Sequence, residues 1–214
     1  MDRQKLHDAI LNGDAKGAAA WIEQALQTPF DALEVIQDAM IPAMDEVGRR
    51  FECEEYFVPE LLLSARAMQA ALRPLRPLLA QQGAKSAGRV AIGTVKGDLH
   101  DIGKNLVSSL LEGAGFEVID LGANVEPEKF IEAVRDRGAN LVCLSALLTV
   151  TMPSMKLTID ALTAAGVRDR VKVMVGGAPV TPQFAAQIGA DGYGENASVA
   201  VALARRLSGV AASV

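Results

Sequence analysis

Arg89-Val90-Ala91-Ile92-Gly93-Thr94-Val95, followed without a break by Lys96-Gly97-Asp98-Leu99-His100-Asp101-Ile102-Gly103-Lys104-Asn105, reads as a strand that enters a turn and leaves it as a helix. The first segment is largely apolar, glycine punctuates the centre, and helical periodicity sets in from Ile102 to Leu111. His100 therefore falls at the carboxyl end of a first strand, the edge at which open α/β sheets bind their ligands. Asp98 stands two residues earlier, within reach of the ring nitrogen that a metal on the other nitrogen leaves free.

Apolar runs at 90–95, 116–121, 140–145 and 171–175, with a weak fifth at Gly192-Tyr193, alternate with helical segments at about 102–113, 127–137, 152–165, 182–188 and 196–207. Such alternation predicts a parallel sheet with right-handed crossovers and helices on both faces. Five strands suit a flavodoxin-like doubly wound sheet, whose ligand sits where the strand order reverses. Gly113, Gly115, Gly138, Gly166 and Gly189 follow the helical segments, as C-caps do.

Residues 2 to 80 carry helical periodicity instead, in four groups: Leu6 to Leu11, Ala18 to Leu26, Val35 to Val47 and Leu61 to Leu72. Gly13-Asp14 separates the first two, Thr28-Pro29 opens the third, Pro42 falls inside it as a potential kink, and Pro59 suits a helix start. Four helices make a small bundle. The stretch from Gln81 to Gly88 has no apolar period and reads as a linker.

The chain has 214 residues, half of them apolar, which is enough for a sizeable core in one large domain or two small ones. Its 26 acidic and 21 basic residues give a net charge of −5 with no basic tract, which argues against nucleic-acid binding. Met1-Asp2-Arg3-Gln4-Lys5 lacks the pattern of a secretory signal, and no window of eighteen uninterrupted apolar residues occurs, so the expectation is a soluble, cytoplasmic protein. Cys53 and Cys143 lie far apart, offer no disulfide or zinc framework, and are expected to be small buried apolar residues. His7 has no acidic or cysteine cluster around it and is expected at the surface.

The pattern Asp98-x-His100-x-x-Gly103, then Ser145-x-Leu147, then Gly176-Gly177, resembles the signature of cobalamin-binding Rossmann-like domains. Upstream, the run from Met44 to Phe51 and the run Tyr56-Phe57-Val58-Pro59-Glu60 look like the helical cap of methyl-carrying corrinoid modules. The likeness extends from that cap to Glu195-Asn196-Ala197-Ser198, nearly the whole chain. It resembles the corrinoid proteins of methylamine, methanol and aryl-ether methyltransferase systems and the cobalamin-binding module of methionine synthase.

The resemblance implies an α + α/β protein: an N-terminal four-helix bundle cap at 1–83, a linker at 84–88, and a flavodoxin/Rossmann-like five-stranded parallel sheet at 89–214. It makes His100 the lower axial ligand of cobalt, with Asp98 orienting the ring and Thr151 in the third, hydroxyl-bearing position of the relay. The residues alone also allow Thr151 to be the N-cap of the following helix. Ser145 and Thr149 would line a slot for the displaced nucleotide tail, Gly176-Gly177 would let the backbone approach that tail, and Tyr193 and Ala197 would stand at its far end. A side chain at Gly103 would obstruct a ligand lying against the strand end. The motif adds Gly97, Asp101, Ile102 and Leu147 as cofactor contacts. In the cap, Phe51 and Val58 would cover the upper corrin face, with Met44, Val47 and Gln37 as further contacts.

By the same resemblance, the cofactor is cobalamin or a related corrinoid, and no acid or base catalyst is required of the chain. It would accept a methyl group on cobalt(I) from a substrate:corrinoid methyltransferase and deliver it from methyl-cobalt(III) to a second methyltransferase acting on tetrahydrofolate or a thiol. A reductive activase would be a further partner. The alternatives are a cobalamin-dependent sensor, the small subunit of a cobalamin-dependent mutase, and a flavodoxin-like domain without cobalt. No phosphate-cradling Gly-x-Gly-x-x-Gly follows the first strand, which speaks against a nucleotide cofactor there.

Overall fold

The computed structural model describes residues 2–28, 31–81 and 87–209, so most of the expected linker lies outside the described residues. Two compact units result. One holds the helices up to residue 81 and the short stretch Glu112–Gly115; the other holds the remainder of 87–209.

The helical unit follows its local signals. Asp2 caps α1 (Arg3–Leu11) by accepting from the Gln4 amide, and Asp14 caps α2 (Ala15–Ala25) by accepting from the Gly17 amide. A short helix α3 (Ala32–Val35) passes through a π-helical stretch, Ile36–Met40, into α4 (Ile41–Glu52). The wide turn comes just before Pro42, which has no amide proton and whose ring crowds the preceding turn; a π stretch relieves both without ending the helix. In α5 (Val58–Gln81) Pro59 lies in the first turn, and the Glu60 carboxylate accepts from the Phe57 amide at 3.0 Å. Leu6, Ile10, Ile22, Met40, Val47, Leu61 and Met68 are fully buried.

The second unit alternates as its sequence does. β1 (Arg89–Thr94), α6 (Ile102–Gly113), β2 (Glu117–Asp120), α7 (Pro127–Arg135), β3 (Leu141–Ser145), α8 (Pro153–Ala164), β4 (Lys172–Gly176), α9 (Pro182–Ile188), β5 (Gly192–Gly194) and α10 (Ala197–Leu207) follow in order. All five strands are parallel in the order β2-β1-β3-β4-β5, so the order reverses between β1 and β3. Thr94 pairs with Ser145 and Ser145 with Gly176, which brings two motif positions, Ser145 and Gly176, beside the end of β1 at one edge. Among the glycines read as caps, Gly113 is itself the last helical residue of α6, and Gly115 takes the left-handed conformation. Gly93 leaves room for Phe130, whose ring would lie 2.8 Å from a Cβ there.

Asp191 ties the late strands together. Its carboxylate accepts from Arg168 at 2.6 Å and from the Val173 amide at 2.7 Å. Burial disfavours its charge, but the Val173 amide and the Arg168 guanidinium outweigh burial and lower its pKa. Because the native pKa is depressed, the stabilisation is present above the ordinary carboxylate range near pH ~4 and is lost as pH falls through the native value. Asp191→Asn is therefore expected to cost about 1–3 kcal/mol at pH 7, the scale of hydrogen bonds to a charged group, and progressively less on acidification. Urea midpoints of the two proteins across pH 3 to 7 test this; equal midpoints at pH 7 would contradict it.

Candidate functional site

The turn after β1 is organised around a buried carboxylate. Asp98 has no exposed side-chain surface, yet its two oxygens accept from five donors. Oδ1 takes the His100 amide at 3.1 Å and His100 Nδ1 at 2.8 Å. Oδ2 takes the Leu147 amide at 2.8 Å, the Leu148 amide at 3.3 Å and the Thr151 hydroxyl at 2.7 Å. Burial pushes the Asp98 pKa up, but the bonds from Leu147, Thr151 and His100 overcome it and hold the carboxyl well below the usual carboxylate range.

An ionised carboxylate only accepts, so Nδ1 of His100 carries the proton on that side, and in a neutral ring of that tautomer Nε2 is the nitrogen with the free lone pair. The His100 side chain is 51% exposed. One ring nitrogen is thus anchored to a buried anion while the ring itself reaches solvent, the arrangement of a metal-binding imidazole with its supporting partner. Among the described residues no group of three or more His, Cys, Asp or Glu side chains is placed to hold a metal ion. A single imidazole suits a metal that brings its other ligands with it.

The surroundings suit an apolar ligand surface. Leu99 and Ile102 on the β1–α6 side, and Leu147, Leu148 and Val150 on the β3–α8 side, are exposed although large and apolar; Ile102 and Val150 reach 83% and 80%. Clustered exposure of this kind on two neighbouring loops marks a surface that something covers. A Cβ at Gly103 would meet no atom within 4 Å, so the chain's own packing does not require glycine there and the space before it is open.

Thr151 donates to Asp98 or, with the same proton, to the Leu148 carbonyl at 2.8 Å; helix α8 begins after it, with Met152 as a cap that makes no side-chain bond. The geometry thus ties the Thr151 hydroxyl to the carboxylate. Ser145 is half-buried at the end of β3 and Thr149 is exposed in the loop after it. Asp101 is exposed and accepts from Asn105 at the start of α6, and Gly97 has φ 85°. Gly176 and Gly177 have reasons within the chain: a Cβ on Gly176 would lie 2.8 Å from the Gly194 carbonyl oxygen, and one on Gly177 only 1.9 Å from that of Ala146. Tyr193 is half-buried against the sheet core, and Ala197 is buried at the first turn of α10.

In the helical unit, Gln37 is exposed on the π-helical stretch, Met44 and Val47 are buried, Phe51 is half-buried and Val58 is exposed. Cys143 is buried as expected, which pushes its thiol pKa up, but Cys53 is exposed just past the end of α4, contrary to the expectation of burial. A terminal position after the last helical turn has no core to face. Thr94 was not singled out by the sequence: its fully buried hydroxyl donates to the His100 carbonyl at 2.8 Å. Only its place at the end of β1, before a motif that curls back, hints at that role.

Two family models, both described as B12 binding domain, match residues 88–202 and 2–76. The chain belongs to the B12-binding domain family. This B12-binding protein is 42% identical over 205 residues to the dimethylamine corrinoid protein of Methanosarcina barkeri, covering 95% of this chain and 96% of that one. Among solved structures it resembles a cobalamin-binding protein from Desulfitobacterium hafniense DCB-2, with 33% identity, TM-score 0.78 and coverage of 96% and 98% of the two chains. It also resembles a chain of the methanol:cobalamin methyltransferase complex MtaBC from Methanosarcina barkeri, with 30% identity, TM-score 0.81 and coverage of 96% of this chain and 78% of that one. The resemblance read from the motifs, the Rossmann-like five-stranded fold and a corrinoid as cofactor are thereby borne out. A half-exposed imidazole on a buried carboxylate, an apolar rim and open space at Gly103 fit that group.

Proposed function

We propose that this corrinoid protein is the methyl carrier of a multi-component methyltransferase system. The observation that carries the proposal is the Asp98-anchored imidazole of His100, half-exposed beside an apolar rim. Bound there, the corrinoid supplies a cobalt centre that takes a methyl group from one partner and yields it to another. His100, through the ring nitrogen not bonded to Asp98, would be the residue that holds the cobalt. Asp98 fixes the ring's orientation and tautomer and increases its basicity, and Thr151 supports the carboxylate from behind. Leu99, Ile102, Leu147 and Val150 exclude water from the face they line, while Gly97 and Asp101 shape the turn that carries His100.

Ser145, Thr149 and the Gly176-Gly177 segment are assigned the nucleotide tail, with Tyr193 and Ala197 at its far end. Phe51 and Val58 are assigned the shielding of the transferred methyl group, and Gln37, Met44 and Val47 the support of that surface; the last two act through packing, since they are buried. The domain limits proposed are 1–83, 84–88 and 89–214.

Relatives named for dimethylamine and a solved complex named for methanol support a methylated amine or alcohol as the methyl source. The partners proposed are a substrate:corrinoid methyltransferase, a second methyltransferase acting on tetrahydrofolate or a thiol, and a reductive activase. Among the described residues no helix is long and apolar enough to cross a membrane, which is compatible with action in the cytoplasm. The test is a transfer assay: protein reconstituted with methylcobalamin is expected to lose its methyl group to a thiol or tetrahydrofolate only when the cognate methyltransferase is added. Retention of the label with every such enzyme would remove the carrier reading.

A further inference from the structure

We infer that Asn124, in the connection between β2 and α7, is a positioning residue for the metal-binding imidazole; this rests on the corrinoid reading of the site. Asn124 grips the peptide that precedes His100 from two sides. Its Oδ1 accepts from the Gly97 amide at 2.8 Å, and its own amide donates to the Asp98 carbonyl at 2.8 Å. The side chain and backbone of one residue therefore hold the Gly97–Asp98 unit as a clamp, and the carboxylate of that same Asp98 bonds the His100 ring.

A clamp positions only if it is itself fixed, and Asn124 is. The Asp120 carboxylate accepts from the Gly122 amide at 2.8 Å and is gripped by the buried Lys104 at 2.5 and 2.6 Å. The Gly122 carbonyl accepts from the Thr94 amide at 3.0 Å, and the Val125 amide donates to the Thr94 carbonyl at 2.9 Å. Val125 bridges to Val95, and Lys96 pairs with Glu126 at 3.0 Å. Asn124 sits between these anchors with φ 54°, a conformation that non-glycine residues rarely adopt and that asparagine tolerates best. A glycine would meet the backbone demand equally well. What glycine lacks is the acceptor for Gly97, and that separates a turn-forming role from a positioning one.

The test compares wild type, Asn124→Gly and Asn124→Asp. Asn124→Gly keeps the left-handed turn and removes only the acceptor; Asn124→Asp keeps both. In ligand-free protein, exchange of the Gly97 amide proton is expected to quicken about three- to tenfold in Asn124→Gly, the range expected from one net hydrogen bond, with melting temperature close to wild type. With hydroxocobalamin as the probe, the same variant is expected to bind about three- to tenfold more weakly and to show a smaller histidine-ligated fraction in its visible spectrum. Asn124→Asp is expected to restore both to within about twofold, on the same hydrogen-bond scale.

If Asn124→Gly matches wild type in Gly97 exchange, affinity and spectrum, Asn124 is only a turn former and the inference is overturned. If it melts far below wild type and Asn124→Asp does not restore ligation, the role is structural and the inference again fails. Wild type that retains no cobalt would overturn the corrinoid reading itself, a different result from equal binding by wild type and Asn124→Gly.

Discussion

His100→Ala reconstituted with hydroxocobalamin is expected to lose the histidine-ligated visible spectrum and to release the cofactor far more readily than wild type, with its fold intact. The ring is half-exposed and contributes little to the core, so circular dichroism and melting should change little. On the proposed reading its function lies in presenting one nitrogen, and among the described residues no group of three or more His, Cys, Asp or Glu side chains is placed to hold a metal ion in its stead. Loss of an outer-shell partner of a metal ligand typically costs about 10–100-fold in affinity, and loss of the ligand itself should cost at least that. Asp98→Asn supplies the intermediate case: it keeps the shape but removes the charge that fixes the tautomer. Gly103→Ala supplies the steric case, since an added Cβ there meets no atom of the chain within 4 Å and a loss of retention reports on the ligand. Cobalt content after gel filtration and the visible spectrum read all of these. A His100→Ala spectrum identical to wild type would remove His100 as the axial ligand.

Gly177→Ala is expected to prevent folding or to destabilise the chain by more than about 3 kcal/mol, a large share of a typical total of about 5–15 kcal/mol. Two independent costs meet there. The backbone has φ 129°, outside the regions open to L side chains, and the added Cβ would lie 1.9 Å from the Ala146 carbonyl oxygen and 2.9 Å from its carbon. The Ala146 amide also donates to the Gly176 carbonyl at 3.3 Å, so the junction after β3 and β4 cannot widen without losing a backbone bond. Soluble yield and a urea titration measure the effect; a midpoint equal to wild type would contradict the backbone argument. Gly177 is thus required by the sheet whatever it does for a ligand, and a glycine in a binding motif is not by itself evidence of ligand contact.

Much of the site was legible because its determinants are local. Asp98 and His100 are two residues apart in one turn, and the apolar run before them and the helical period after them place that turn at a strand end. The ten-element alternation was equally readable, since each strand and helix of the second unit carries its own period and its own punctuation. The strand Gly192–Gly194, three residues with two glycines, was the weakest signal and exists because Val175 and its neighbours in β4 pair with it.

The remainder depended on which distant residues meet. Asp98 draws its strongest backbone partner from Leu147, 49 residues on, and its hydroxyl partner from Thr151, 53 residues on. No period in the sequence announces an amide as a carboxylate ligand. Thr94 and Asn124, both bonded to the motif's backbone, look like an ordinary strand end and an ordinary turn until the connection after β2 is laid beside β1. Met44 and Val47 lie inward as their apolar helical period indicates, whereas only the end of α4 left Cys53 exposed. The sequence by itself determined the elements, the imidazole and its partner, because those rest on backbone propensity and short separations along the chain. Only the tertiary structure decided the protonation geometry of that pair, the glycines that the sheet cannot replace and the residues that brace the turn, because these rest on hydrogen bonds and steric exclusion between segments far apart in sequence.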